Sequence, residues 1–199
     1  FTTLEFMKFF KSLPYNIVAC ITGDHSTGNA IINNSDVNIV SFTGSVHTAK
    51  LIYKDCAKLF KPCHLEGGGS DFMIISDKSD LNFAAAAAIT SSFHLSGQIC
   101  TSTEHLLVHE KIYDKFIKLF IKKMHNLTVG DGLNKNEIGP LANIKTFNKA
   151  KSILADAKKL GASITFHKNQ KSIENKKGYY ISPSVIENIN TKMKCNNEE

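Results

Sequence analysis

Two side chains able to attack or activate at a carbonyl stand in glycine-bearing stretches: Cys100 in Gly97-Gln98-Ile99-Cys100-Thr101, and Glu66 in Leu65-Glu66-Gly67-Gly68-Gly69. A cysteine in a glycine-preceded loop can be exposed and nucleophilic, while its own N–H helps to hold an oxyanion. A glutamate at the end of an apolar strand can sit in a cleft, where desolvation raises its pKa toward that of a general base. A third stretch, Phe42-Thr43-Gly44-Ser45, leaves an expected strand and opens an expected helix. A helix N-terminus offers unpaired N–H groups and partial positive charge, which suits a phosphate, although these residues taken alone read first as a plain cap by Ser45. The stretch matches neither of the usual glycine-rich phosphate fingerprints.

The elements that must position these residues alternate between strand and helix. Leu4 to Leu13 has helical apolar spacing and is stopped by Pro14. Short apolar runs at Ile17–Ile21, Val37–Phe42, Cys63–Glu66, Phe72–Ser76, Glu104–His109, Ser163–Phe166 and Tyr179–Ile186 read as strands. Helical stretches lie at Thr27–Asn34, Ser45–Phe60, Asp80–Leu95, Lys111–Asn126 and Ile144–Leu160, the last closed by Gly161. This order predicts an α/β fold of parallel βαβ units. The triple glycine is the candidate boundary, dividing the chain into 1–66 and 67–199.

Composition narrows the function. At 42% hydrophobic and 21% charged residues, the 199-residue chain is ordinary for a soluble globular protein with a core. No apolar run is long enough to span a bilayer, so no membrane partner is expected. The net charge of +6 comes from lysines alone, since the chain has no arginine. Scattered lysines without arginine forks read as solvated surface and not as a nucleic-acid site. The five cysteines are odd in number and irregularly spaced, which argues against a secreted disulfide scaffold and for a reducing, cytoplasmic location. Cys56, Cys63 and His64 fit no zinc spacing, so no metal is expected. The chain begins on Phe1 instead of Met, and the expectation is an internal piece of a longer protein.

Taken together, the three stretches resemble the aldehyde dehydrogenase superfamily. Its F-T-G-S element is intact at Phe42 to Ser45, its L-E-L-G-G element stands as Leu65 to Gly69, and its G-Q-x-C element is Gly97 to Cys100. Cys100 follows Glu66 by 34 positions, the family's own separation. Thr22-Gly23-Asp24 to Gly28, Val129-Gly130-Asp131-Gly132, Ile138-Gly139-Pro140-Leu141 and Gly178-Tyr179-Tyr180 with Pro183 are similar to further family stretches. The chain departs from the pattern at Gly67, where leucine is usual, and at His25 and Ala49, where glycine is common.

The resemblance implies the fold: the C-terminal part of a Rossmann-like NAD(P)-binding lobe over 1–66, and most of an α/β catalytic lobe over 67–199. It implies oxidation of an aldehyde to a carboxylic acid with NAD or NADP. Cys100 would form a thiohemiacetal and then a thioester, which water activated by Glu66 would hydrolyse. It places the coenzyme against Gly23, Thr43, Gly44, Ser45, Thr48, Ala49 and Gly67. If Asn197-Glu198-Glu199 opens the family's E-E-I-F-G-P element, Glu199 would bond the nicotinamide ribose. Gly69-Ser70-Asp71 most resembles members acting on succinate semialdehyde, although an arginine clamp for that substrate is not in this chain. The family resemblance implies a homo-oligomer for the full-length protein. Two other readings stay open: an inactive fragment or remnant of such an enzyme, and a cysteine hydrolase using Cys100 with His94 or His105.

Overall fold

A computed structural model describes residues 2–14 and 17–198, which fall into two compact units, one ending at Gly67 and the other starting at Gly68. In the first unit, α1 (Thr2–Phe6) tightens into a 3-10 turn over Met7–Phe10, where a single longer helix was expected. No residue of either piece is buried, so the apolar stripe has nothing to pack on and does not sustain an α-helix. The run from Ile17 to Ile21 forms no strand. Ile17 and Ile21 are 61% and 67% exposed, and extended backbone without a ladder partner is no strand.

The ordered part of this unit begins at α2 (His25–Asn33), capped by Asp24, whose carboxylate accepts from the Ser26 amide at 2.9 Å. Then come β1 (Val40–Thr43), α3 (Val46–Lys58) and β2 (Cys63–Glu66). β1 and β2 pair in parallel from Val40↔Cys63 to Thr43↔Glu66, and α3 is the crossover that parallel pairing requires. α3 buries Ala49 and Cys56, two turns apart on one face. Its end is turned back at Phe60, a left-handed residue at φ 55°. The ammonium of Lys61 then donates to the carbonyls of Ile32 and Asn34 at the end of α2.

The second unit opens with another parallel crossover, β3 (Asp71–Ile75), α4 (Leu81–Phe93) and β4 (Thr103–Val108). Asp80 caps α4 by accepting from the amides of Asn82 and Phe83 at 2.8 and 3.0 Å. α5 (Tyr113–Met124) buries Phe116, Phe120 and Met124 at helical spacing. Ile75, Ala85, Ala88, Phe116 and Phe120 form the core cluster. The alanines of α4 are small enough for the α5 phenylalanines to fill the space over them.

α6 (Ile144–Lys159) is capped by Asn143 and closed by Gly161 at φ 90°. β5 (Ser163–Phe166) and β6 (Ser184–Glu187) make an antiparallel pair, with α7 (Gln170–Glu174) between them in sequence and α8 (Lys194–Asn197) after. The last strand, expected from Tyr179, begins only at Ser184. Pro183 has no N–H for a ladder, and Tyr179 spends its carbonyl on the Leu141 amide at 2.9 Å.

Candidate functional site

Each unit carries its own candidate element. In the first, β1 ends at Thr43 and the chain turns through Gly44 into α3. The Gly44 amide donates to the Glu66 carbonyl at 3.0 Å, which ties the turn to the end of β2. A Cβ on Gly44 would stand 2.5 Å from the Phe42 ring, so any side chain there would displace that ring. Ser45 caps α3: its hydroxyl accepts from the Thr48 amide at 3.2 Å and lies 3.0 Å from the Thr48 hydroxyl. With the Thr48 amide taken, those of Val46 and His47 have no acceptor within the helix. Thr43, Ser45, Val46 and His47 are all exposed. The turn therefore offers unspent donors to an anion at the positive end of a 13-residue helix.

Gly23 stands in front of α2, where a Cβ would meet the Thr27 hydroxyl at 2.0 Å. Beside it, hydrogen bonds from the Ser26 hydroxyl and amide hold the Asp24 carboxyl below its ordinary value. Gly67 follows β2, and a Cβ there would come within 3.1 Å of the Val46 side chain. The glycine that departs from the family pattern thus suits the valine opening α3. Ala49 is buried on the inner face of α3, and Glu199 lies outside the described residues.

Glu66 is not in a cleft of its own unit. Its side chain is 62% exposed and lies 3.3 Å from the His64 Nε2. Alternation along β2 puts Cys63 and Leu65 on the half-buried face, with His64 and Glu66 on the solvent face. The desolvation expected of the glutamate is not supplied by residues of this unit.

In the second unit, Cys100 is exposed and free, on the connection between α4 and β4. α4 ends at Phe93, and Leu95, Ser96 and Gly97 follow with φ of 49°, 61° and 70°. Left-handed backbone at a leucine and a serine costs of order 1 kcal/mol each, so contacts elsewhere must hold the loop. Four hydrogen bonds do so. The Ser96 hydroxyl donates to the Gly139 carbonyl at 3.0 Å, and the Gln98 side-chain oxygen accepts from the Ala142 amide at 2.9 Å. Around the cysteine, the Ser102 amide donates to the Ile99 carbonyl at 2.9 Å, and the buried Ser102 hydroxyl accepts from the Ile99 amide at 3.3 Å. Cys100 itself receives no bond from any described residue, which leaves its thiol and amide open to a ligand.

The histidines of the hydrolase reading stand apart from this arrangement. Neither His94 nor His105 bonds Cys100 among the described residues. His105 is buried in β4 and stacked on Phe72 at 4.5 Å between ring centres. Among the described residues no group of three or more His, Cys, Asp or Glu could hold a metal, and no helix is long and apolar enough to cross a membrane.

Sequence reading gave no role to Ser96 or Ser102, and none to Gln98 beyond its place in a motif. Their partners sit at Gly139 and Ala142, over forty residues away, with no local signal linking them to the loop.

The family model described as "Aldehyde dehydrogenase family" matches residues 1–199, the whole chain. The chain belongs to the aldehyde dehydrogenase family. A peroxisomal aminoaldehyde dehydrogenase of Pisum sativum is 32% identical, with 100% of this chain and 40% of that protein covered. The crystal structure of a Staphylococcus aureus betaine aldehyde dehydrogenase in complex with NAD+ matches at TM-score 0.83 and 32% identity, over 90% of this chain and 36% of that one. A succinate-semialdehyde dehydrogenase from Burkholderia pseudomallei matches at TM-score 0.87 and 30% identity, over 96% of this chain and 40% of that one. This aldehyde dehydrogenase chain thus spans about 40% of the length of the curated relatives it matches.

Proposed function

We propose that these residues belong to an NAD(P)-dependent enzyme that oxidises an aldehyde to a carboxylic acid, with Cys100 as nucleophile and Glu66 as general base. The observation that carries the reading is the Cys100 loop: an exposed thiol with an open amide beside it, in a loop with left-handed backbone held by two long-range and two local hydrogen bonds. Residues 1–66 are assigned to the coenzyme lobe and 67–199 to the catalytic lobe. The Gly44–Ser45 turn fits a phosphate-bearing coenzyme, since the amides of Val46 and His47 are open and Gly44 lets the backbone approach closely. Thr43, Ser45 and Thr48 line that approach, Gly67 lies against Val46 at the start of the helix, and Gly23 and Ala49 are proposed to complete the coenzyme contacts. Glu199 is proposed to contact the ribose.

The Cys100 thiolate adds to the aldehyde carbon, and the oxygen that becomes anionic is met by the Cys100 amide. The bound coenzyme supplies the acceptor for the hydride that leaves this carbon. A thioester then remains on Cys100. Glu66 takes a proton from water, the hydroxide adds to the thioester, and the acid departs as the thiolate is restored.

Among substrates, a short ω-functional aldehyde is favoured. The matches to an aminoaldehyde dehydrogenase and a succinate-semialdehyde dehydrogenase support that class. Succinate semialdehyde itself would need a cation for its distal carboxylate, and lysine is the only full-time cation this chain has.

The test is pre-steady-state oxidation by the full-length native protein. Cys100→Ser should abolish both burst and turnover, by at least about 10³-fold. Glu66→Gln should keep a stoichiometric burst while turnover falls by roughly 10²-fold or more. Full turnover by Cys100→Ser would overturn the reading, as would a Glu66→Gln variant with unchanged steady-state rate.

A further inference from the structure

Cys56 and Cys63 are not needed by that chemistry, yet the first unit places them against each other. Cys56 is the last buried residue of α3, with no exposed surface, and Cys63 opens β2 on its half-buried face. The connection between them reverses tightly. The Cys56 carbonyl accepts from the Leu59 amide at 3.2 Å and from the Lys61 amide at 2.9 Å, and Phe60 takes φ 55° to allow it. Pro62 follows, its carbonyl held by the Val40 amide at 3.1 Å, so Cys63 is delivered in register beside β1 and under the end of α3. Cys63 stands near enough to Cys56 to add to the upward push that burial gives the Cys56 thiol.

We infer that Cys56 and Cys63 are a dithiol modification site that closes to a disulfide when a peroxide reaches Cys63. Cys63 is partly exposed and meets the oxidant first. Its thiolate attacks one peroxide oxygen, the O–O bond breaks, and Cys63 becomes a sulfenic acid as hydroxide leaves. The Cys56 sulfur then attacks the Cys63 sulfur. The S–O bond breaks, and the leaving hydroxide takes the Cys56 proton as water. The net change is two thiols and one hydrogen peroxide to one disulfide and two waters. Burial pushes the Cys56 thiol up, which keeps it protonated and inert until its neighbour is oxidised. A thiol reductant reverses the link. The closed bond ties the last turn of α3 to the first residue of β2 and leaves the Gly44–Ser45 turn at the other end of the helix.

Trypsin cuts after Lys58 but not between Lys61 and Pro62, so the two cysteines fall in separate peptides. The native protein is treated with hydrogen peroxide, blocked with maleimide, digested and weighed. The expected product is the Cys56 and Cys63 peptides linked and lighter by two hydrogens, forming about tenfold faster in the folded protein than in concentrated urea. Cys20→Ser should leave the link intact, and Cys56→Ser should send Cys63 on to the sulfinic acid. The inference is overturned if folded and unfolded chains link at equal rates, if Cys63 pairs with Cys20, or if Cys63 reaches the sulfinic acid in the native protein with Cys56 still free.

Discussion

The two crossovers share a plan and differ in where they keep their function. In β1–α3–β2 the candidate site is the turn into the helix, and almost all of it is local: Gly44, the Ser45 cap and the amides it leaves open. In β3–α4–β4 the candidate site is the return from the helix, and residues far along the chain hold it. The cores differ in the same sense. The second unit assembles Ile75, Ala85, Ala88, Phe116 and Phe120 into one cluster, whereas the first unit buries only Ile32, Ala49 and Cys56 among its described hydrophobic residues. A site made from a turn survives on a thin core. A strained loop needs a thick one.

The comparison is broken most severely at Phe120. Its ring is 3% exposed and packs on Phe116 at 5.9 Å. Phe120→Ala should cost about 3–5 kcal/mol in denaturant unfolding. It should also bring the alkylation rate of Cys100 to that of the unfolded chain, because the loop loses its foundation. Gly97→Ala is the next largest. Its Cβ would stand 3.0 Å from the Ser92 carbonyl at φ 70°, and a loss of about 1–3 kcal/mol is expected. Native-state labelling of Cys100 should change while the fluorescence-detected unfolding remains a single transition.

Two smaller changes set the units side by side. Gln98→Ala removes the acceptor of the Ala142 amide and should cost about 1–2 kcal/mol, with altered Cys100 labelling. Ser45→Ala removes the α3 cap for about 1 kcal/mol and should weaken coenzyme affinity without touching Cys100 labelling. If Ser45→Ala alters the thiol instead, the division between a local and a long-range site is wrong.

The weakest expected effect is on pH. His167 is buried, its Nδ1 accepts from the Asn169 amide at 3.1 Å and its Nε2 lies 3.0 Å from the His125 carbonyl. Burial holds its pKa below the ordinary value. The unfolded chain therefore takes up a proton, near pH 6.5, that the folded chain refuses. Stability from this group is full above that pH and is lost as the pH falls through it. Urea midpoints from pH 8 to 5 should decline in the wild type and flatten in His167→Gln, and a parallel decline in both would remove His167 as the cause.

The sequence showed more of the first site than of the second. Ser45 as a cap and Gly44 as a close-approach glycine follow from residue type and position, and the α/β order is carried by periodicity. Cys100 could be singled out by its neighbours in sequence, but nothing local betrays a leucine and a serine in left-handed backbone. That conformation is set by bonds to Gly139 and Ala142. The run at Ile17–Ile21 misleads for the converse reason. Its residues are those of a strand, yet a strand needs a partner, and propensity alone does not provide one.

The long-range bonds of the Cys100 loop also impose an order in time. The acceptor for Ser96 and the donor for Gln98 are made 43 and 44 residues later. At synthesis rates of roughly 5–20 residues per second, about two to nine seconds separate the cysteine from the residues that shape its loop. During that interval the loop is unpinned, and its backbone is held in the left-handed path only after the chain that restrains it exists.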